Sequence, residues 1–216
     1  MRVVIAGGHG QIALRLERLL AERGDQAVGI IRKPEQTRKL EALKAEPVVL
    51  DLEKSDVDAV AAVLSGADAA VFAAGAGPGS GTERKQTVDR GAAVLFAEAA
   101  ERAGVRRHIQ IGSMGSDNPD APGLDPIFAA YLRAKKAAED DLRERNLDWT
   151  IFRPGALTNE PGTGKVLLAE KTGRGSVPRD DVAAVVVALL NEPKSIRRTI
   201  ELISGDDSIE EAVRHL

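Results

Sequence analysis

The chain has 216 residues, with 30 basic against 33 acidic side chains, a formal charge of −3, and 43% apolar and 29% charged residues. That length and balance fit one folded core and exclude a chain disordered throughout, and without a basic excess general nucleic-acid binding loses its main driving force. With no cysteine there are no disulfides, thiolate nucleophiles or cysteine-ligated zinc, and His9, His108 and His215 are too scattered to build a metal site.

Short apolar runs alternate with helical patterns from the first residue. Val3 to Ala6 is a continuous apolar run, as in a strand covered on both faces. Glycines follow, then Ile12, Leu16, Leu19 and Leu20 recur at helical spacing up to a stop at Arg23-Gly24. Ala27 to Ile31 reads as a second strand, Glu35 to Ala45 as a charged amphipathic helix, and Val48 to Leu50 as a third strand ending at Asp51. A helix face of Val57, Val60, Ala61 and Leu64 closes at Gly66, and Ala69 to Ala73 is a fourth strand opening into the glycine-rich stretch Gly75 to Gly81. One long helix is expected from about Glu83 to Ala103, then a fifth strand from His108 to Ile111 leading to Gly112-Ser113. Past the proline-broken loop Met114 to Pro126 come a helix from about Phe128 to Asn146 and a sixth strand, Trp149 to Arg153, stopped by Pro154-Gly155. Trp149 is expected to pack in the core. The remainder reads as a strand Val166 to Ala169, a helix Asp180 to Leu190, a strand Thr199 to Ile203 and a small terminal helix.

Strict β-α-β alternation predicts an α/β fold, a doubly wound parallel sheet of the Rossmann type, with residues 1–216 as one domain and substrate-side elements within 154–216. The longest apolar run near the C-terminus, Val182 to Leu190, is about half of the roughly 20 residues a membrane span needs. The opening strand and glycines do not resemble a signal peptide. The expected location is the cytoplasm, with no membrane partner and a monomer or homodimer left open.

Gly7-Gly8-His9-Gly10-Gln11-Ile12-Ala13 lies between the first strand and the first helix, where an open parallel sheet binds a dinucleotide pyrophosphate on backbone N–H groups and the positive helix end. Gly7 permits the tight turn, Gly10 lets phosphates approach, and Ala13 keeps the helix close. Glycines required only by a turn are the plainer alternative. At the end of the second strand, where an acidic residue would favour NAD, the chain has Arg32-Lys33, which suits the 2′-phosphate of NADP; two solvated cations opening a helix are the alternative. Asp51-Leu52 is placed to meet the adenine, and Ala73-Ala74-Gly75 to line the cofactor.

The only tyrosine, Tyr131, precedes Lys135 by four residues, so a helix would put phenol and ammonium on one face. A nearby ammonium and a positive nicotinamide favour the phenolate and make the phenol a usable acid–base group; Lys135 can also hold the nicotinamide ribose, and Ser113 can bind the substrate oxygen. A surface tyrosine beside a solvated lysine would explain the pair in isolation. The placement after the fifth strand, with Ser113 ahead and the glycine turn upstream, favours a site. In these features, and in Arg153-Pro154-Gly155, Asn159 to Gly164 and Arg179 to Ala183, nearly the whole chain resembles the short-chain dehydrogenase/reductase superfamily, in its small atypical NAD(P)-binding, epimerase/dehydratase-like bacterial branch. The resemblance implies a Ser113/Tyr131/Lys135 triad, cofactor contacts from the glycine turn, including Gln11 and Ile12, and nicotinamide-side contacts from Pro154, Gly155, Ala156 and Leu157. Few residues follow Arg153, so a nucleotide-sugar would find little protein to enclose it.

Pro161 to Val166 lacks the first glycine and the hydroxyl residue of a phosphate-binding P-loop and reads as a substrate-side loop. Asp140-Asp141, Asp180-Asp181 and Asp206-Asp207 are adjacent pairs whose side chains diverge, with Asp180 expected to cap the helix after it. The expected activity is an NADP-dependent oxidoreductase working on a carbonyl or alcohol of a small substrate, without metal. The alternatives are an epimerase or dehydratase using transient hydride transfer, and a non-catalytic sensor of NADP(H). The substrate pocket is expected from Gly75 to Gln86, Met114 to Pro126 and Leu157 to Val177.

Overall fold

The computed structural model describes every residue except Pro78, which lies in the glycine-rich stretch after the fourth strand. The first half runs β1 (Arg2–Ala6), α1 (Gln11–Glu22), β2 (Gln26–Ile31), α2 (Thr37–Ala42), β3 (Glu46–Val49), α3 (Val57–Leu64) and β4 (Ala69–Phe72). A short helix α4 (Thr82–Arg84), a π-helical stretch (Lys85–Ala92) and α5 (Ala93–Ala103) follow, then β5 (Arg107–Ile111), α6 (Pro126–Glu144) and β6 (Asp148–Pro154). The chain closes with β7 (Ala156–Thr158), β8 (Lys165–Ala169), β9 (Ser176–Pro178), α7 (Arg179–Leu189), β10 (Arg198–Ser204), β11 (Asp207–Ser208) and α8 (Ile209–Arg214).

Nine strands form one sheet in the order β11-β8-β10-β6-β5-β4-β1-β2-β3, parallel from β10 to β3, with β8 antiparallel to both β10 and β11. This is the doubly wound Rossmann-type α/β domain that the alternation predicts. β1 shows why its sequence is apolar without a break. Val3 and Ile5 point into the core shared with α1 and α7, while Val4 and Ala6 point into the opposite core under α3 and α5. Both faces of a central parallel strand are covered, so alternation with polar residues is lost.

Three local departures have physical causes. The expected single helix over 83–103 is interrupted by the π-helical stretch, a rare geometry that is frequent at functional sites. The strand pair β7–β9 forms a separate two-stranded sheet, too short for periodicity to reveal. Asp180 does not cap α7: Pro178 holds the cap position, and Asp180 sits in the first turn, where its carboxylate accepts the Arg15 guanidinium at 2.7 Å and ties α7 to α1. Its neighbour Asp181, buried, accepts the Thr163 and Gly164 N–H groups at 2.9 Å each and fixes the 159–164 loop.

Two of the buried ionisable side chains make no side-chain hydrogen bond among the described residues. His108 is completely buried beside Phe96, and desolvation, with help from Arg107 and Arg145, pushes its pKa down to about 3. Glu17, on the inner face of α1, is also completely buried, and neither carboxyl oxygen has a hydrogen-bond partner among the described residues. Its Oε1 lies where a β-carbon on Gly29 or Gly8 would come within 2.5 and 2.8 Å, so it packs against the backbone beneath the first glycine turn. Burial pushes its pKa from 4.5 up to about 8. The folded state therefore keeps the Glu17 proton up to about pH 8, whereas the unfolded chain releases it near 4.5. Stability falls as pH rises through that window. Glu17→Gln, which cannot ionise, should gain stability over the natural protein progressively from pH 5 to pH 8, by up to a few kcal/mol, in urea unfolding at each pH. Parallel pH profiles for the two proteins would contradict the assignment.

Candidate functional site

In a sheet of this strand order the chain leaves β1 for β2 on one side and reaches β4 on the other, which opens a crevice beyond the C-terminal ends of β1 and β4. A cleft of about 230 Å³ occupies that position. From the first turn it is lined by Gly7, His9 and Gly10, from the end of β2 by Arg32 and Gln36, and after β3 by Asp51, Leu52 and Glu53. Ala73, Ala74, Gly75 and Ala76 line it after β4.

The glycines here are sterically required. Gly7 has φ +81°, and a β-carbon on it would lie 2.6 Å from the Ala74 Cα, so the turn between β1 and α1 rests directly on the chain leaving β4. Gly7 and Gly8 both donate to the Ile30 carbonyl, and Gly10 donates to the Gly7 carbonyl at 2.8 Å, which closes the turn. Gly10 is the N-cap of α1 and no side chain caps the helix, so its first-turn N–H groups are available to an anion. A narrow glycine cradle ending on an uncapped helix fits a dinucleotide pyrophosphate. Gln11 and Ile12 open α1 just beyond it, outside the cleft lining, with Ile12 packed on the core.

Among the candidate adenosine contacts, Arg32 is exposed and makes no salt bridge among the described residues, so its guanidinium is available to a ligand. Lys33 does not join it in the cleft; its ammonium lies 3.6 Å from Glu35, in solvent. The sequence reading missed Glu53, which is bonded to Arg84 and Thr87 at 2.7 Å each and held below its ordinary pKa chiefly by Arg84. That triangle joins the segment after β3 to the start of the helix after β4.

Tyr131 and Lys135 stand on one face of α6, as their spacing predicts. Lys135 is only 4% exposed. Its Nζ donates to the Ile111 carbonyl at 3.3 Å, lies 3.4 Å from Asp89 Oδ1, and sits 5.7 and 5.8 Å from the ring centres of Tyr131 and Phe72. Burial works against its charge, but the facing Tyr131 oxygen and Asp89, with Glu139 one turn further on, outweigh it and raise its pKa. Asp89 was not foreseen. It lies in the π-helical stretch, fully buried, and its second oxygen accepts the Ala76 N–H at 3.3 Å. It also lies where a β-carbon on Gly75 would come within 3.2 Å. Asp89 is therefore the physical link between the cleft floor and the Tyr131–Lys135 pair.

Ser113 follows β5 half-buried; its hydroxyl donates to the Met114 carbonyl at 3.2 Å and keeps its oxygen free to accept. Pro154 and Gly155 end β6 at the same edge, where the Pro154 carbonyl accepts the Met114 N–H at 3.3 Å, and Ala156 and Leu157 continue exposed into β7. Gly155 has no room for a side chain, because a β-carbon would lie 2.4 Å from the Gly175 carbonyl oxygen. Behind the pair, buried Glu139 is clasped by Arg153, which also bonds Asp117 at 2.8 Å. Burial opposes the Arg153 charge, but Glu139 and Asp117 prevail and raise its pKa.

Residues 7–193 match the NAD(P)H-binding family. The chain belongs to that family. It is 38% identical over 217 residues, covering both proteins in full, to YhfK of Bacillus subtilis, an uncharacterised sugar epimerase by name. Among solved structures it superposes on the oxidoreductase ylbE of Lactococcus lactis with a TM-score of 0.88 and 30% identity, covering 100% of this chain and 96% of that one. It also superposes on ChuY, an anaerobilin reductase of Escherichia coli O157:H7, with a TM-score of 0.78 and 26% identity, covering 96% and 99% of the two chains. The family is thus NAD(P)-binding and of oxidoreductase or epimerase-like character, as the sequence motifs imply. No helix among the described residues is long and apolar enough to cross a membrane.

Proposed function

We propose that the protein is an NADP-dependent oxidoreductase that interconverts a carbonyl and an alcohol on a small substrate. The observation that carries this reading is the pairing of a half-exposed phenol, Tyr131, with the buried ammonium of Lys135, joined through Asp89 to the floor of a glycine-lined cleft. When bound, the cofactor supplies a hydride for the carbonyl carbon. Tyr131 gives its proton to the substrate oxygen as the carbon is reduced and recovers it from solvent, so one carbonyl, one hydride and one proton become one alcohol. Ser113 holds that oxygen, and Lys135 steadies the phenol and takes the nicotinamide ribose hydroxyls.

Gly7, Gly10, Gln11 and Ile12 would carry the pyrophosphate, Arg32 the 2′-phosphate, Asp51 and Leu52 the adenine, and Ala73, Ala74 and Gly75 the adjoining face. Pro154, Gly155, Ala156 and Leu157 would border the nicotinamide, with the remaining substrate-side elements drawn from 154–216. The preference for NADP rests on Arg32 alone, since Lys33 turns away to Glu35. An epimerase or dehydratase using transient hydride transfer would use the same residues and would consume no net NADPH.

Tyr131→Phe should lower turnover by a factor of about 10² to 10⁴, the usual worth of a general acid. NADPH affinity, read by fluorescence titration, should stay within about twofold. Unchanged consumption of NADPH across a panel of aldehydes, ketones and quinones would remove Tyr131 from the chemistry. Arg32→Asp should reverse the ratio of NADP to NAD dissociation constants, because a carboxylate repels the 2′-phosphate and accepts ribose hydroxyls. An unaltered ratio would remove Arg32 from the site.

A further inference from the structure

Lys85 is a second buried cation beside the phenol, and the mechanism above does not use it. It is the first residue of the π-helical stretch, 8% exposed, with its Nζ 5.4 Å from the Tyr131 ring centre. Its one hydrogen bond among the described residues is to the Gly77 carbonyl at 3.1 Å. An ammonium has three donors, and among the described residues no carboxylate lies within ion-pair distance of this one. The buried acid nearby, Asp89, is engaged by Lys135 and the Ala76 N–H. Among the described residues, two ammonium groups therefore flank the Tyr131 ring against the one carboxylate of Asp89, and a buried charge without a partner is costly. The surface beside the phenol is apolar: Phe128, 44% exposed, stacks on Tyr131 at 5.8 Å between ring centres, and Ile127 next to it is 50% exposed.

We propose that Lys85 is the anion-recognition residue of the substrate pocket, and that the carbonyl compound reduced here carries a carboxylate close to the reacting carbon and an apolar body that lies on Phe128 and Ile127. The inference rests on the reading of Tyr131 as the proton donor to a bound carbonyl. A substrate whose oxygen meets Tyr131 brings its neighbouring atoms within reach of the Lys85 ammonium, and a carboxylate there completes the missing ion pair. The anion makes a charge-assisted hydrogen bond to an ammonium that is itself largely shielded from water, where such bonds are stronger than on the open surface. A neutral analogue leaves the ammonium unpaired, so the pocket selects against it as well as for the acid.

The test is a calorimetric titration of the NADP⁺-saturated protein with two acid/ester pairs, benzoylformate and levulinate against their methyl esters. The natural protein should bind at least one acid about tenfold or more tightly than its ester, the worth of one charge-assisted hydrogen bond. Lys85→Met should abolish that preference while leaving the ester affinity and the NADPH affinity within about twofold, and Lys85→Arg should restore most of it. The inference is overturned if no pair shows the preference in the natural protein, or if Lys85→Met keeps it. Binding is read without turnover, so the two readings separate. Retained acid preference without NADPH oxidation would contradict the oxidoreductase chemistry alone, whereas NADPH oxidation without acid preference would contradict Lys85 alone.

Discussion

The site depends on keeping one ammonium group, that of Lys135, inside the protein. An isolated charge there would be expelled or neutralised. It stays because the Ile111 carbonyl and Asp89 receive it on one side and aromatic faces cover it on the other. Each of those groups belongs to a different element: β5, the π-helical stretch after β4, β4 itself and α6. Satisfying a single charge thus fixes where α6 stands relative to the sheet and to the cleft floor at Gly75–Ala76. Removing Asp89 would loosen the lysine and the cleft floor together, since one of its oxygens faces Lys135 and the other accepts the Ala76 N–H.

The same logic continues one turn along α6. Glu139, on the Lys135 face, is completely buried and clasped by Arg153 of β6; Arg153 reaches Asp117 in the loop after β5, and Lys171 joins Asp117 to Glu201 of β10. A buried pair of this kind adds little net stability compared with an apolar pair of the same volume, yet is costly to break on one side. Its effect here is positional: it pins α6 and the loop after β5 to β6 and β10. Gly112 is glycine for that reason, because a β-carbon would lie 2.4 Å from Glu139 Oε1. On the other side of the crevice the glycine turn depends on close backbone approach, Gly7 against Ala74 and Gly8 against Gly29, so the two halves of the site are set by charge and by sterics respectively.

Much of this was legible in the residues. Covered parallel strands announce themselves as unbroken apolar runs, as in Val3 to Ala6, and the position of Gly7 and Gly10 between such a run and a helix marks the crevice. Tyr131 and Lys135 share a face because an α-helix repeats every 3.6 residues. Other features leave no periodic trace. The burial of Glu17 is one, since it is the absence of side chains at Gly8 and Gly29 that makes room for its carboxyl inside. The π-helical stretch changes hydrogen bonding without changing composition. Lys85 and Asp89, four residues apart after a glycine-rich segment, repeat the spacing of Tyr131 and Lys135 and could have been noticed by the same argument. That they meet the phenol is a tertiary fact, set by the packing of that stretch against α6. The sequence does not distinguish Arg32 from Lys33, whereas in the fold Arg32 lines the cleft and the Lys33 ammonium lies beside Glu35.

The most direct test of the account is a crystal structure of the protein with NADP⁺ bound. The account requires the nicotinamide ribose hydroxyls within about 3.2 Å of Lys135 Nζ and Tyr131 Oη, with the ring open toward Ser113 and Lys85. A nicotinamide lying in solvent, with Lys135 still engaged only by Asp89 and the Ile111 carbonyl, would contradict it.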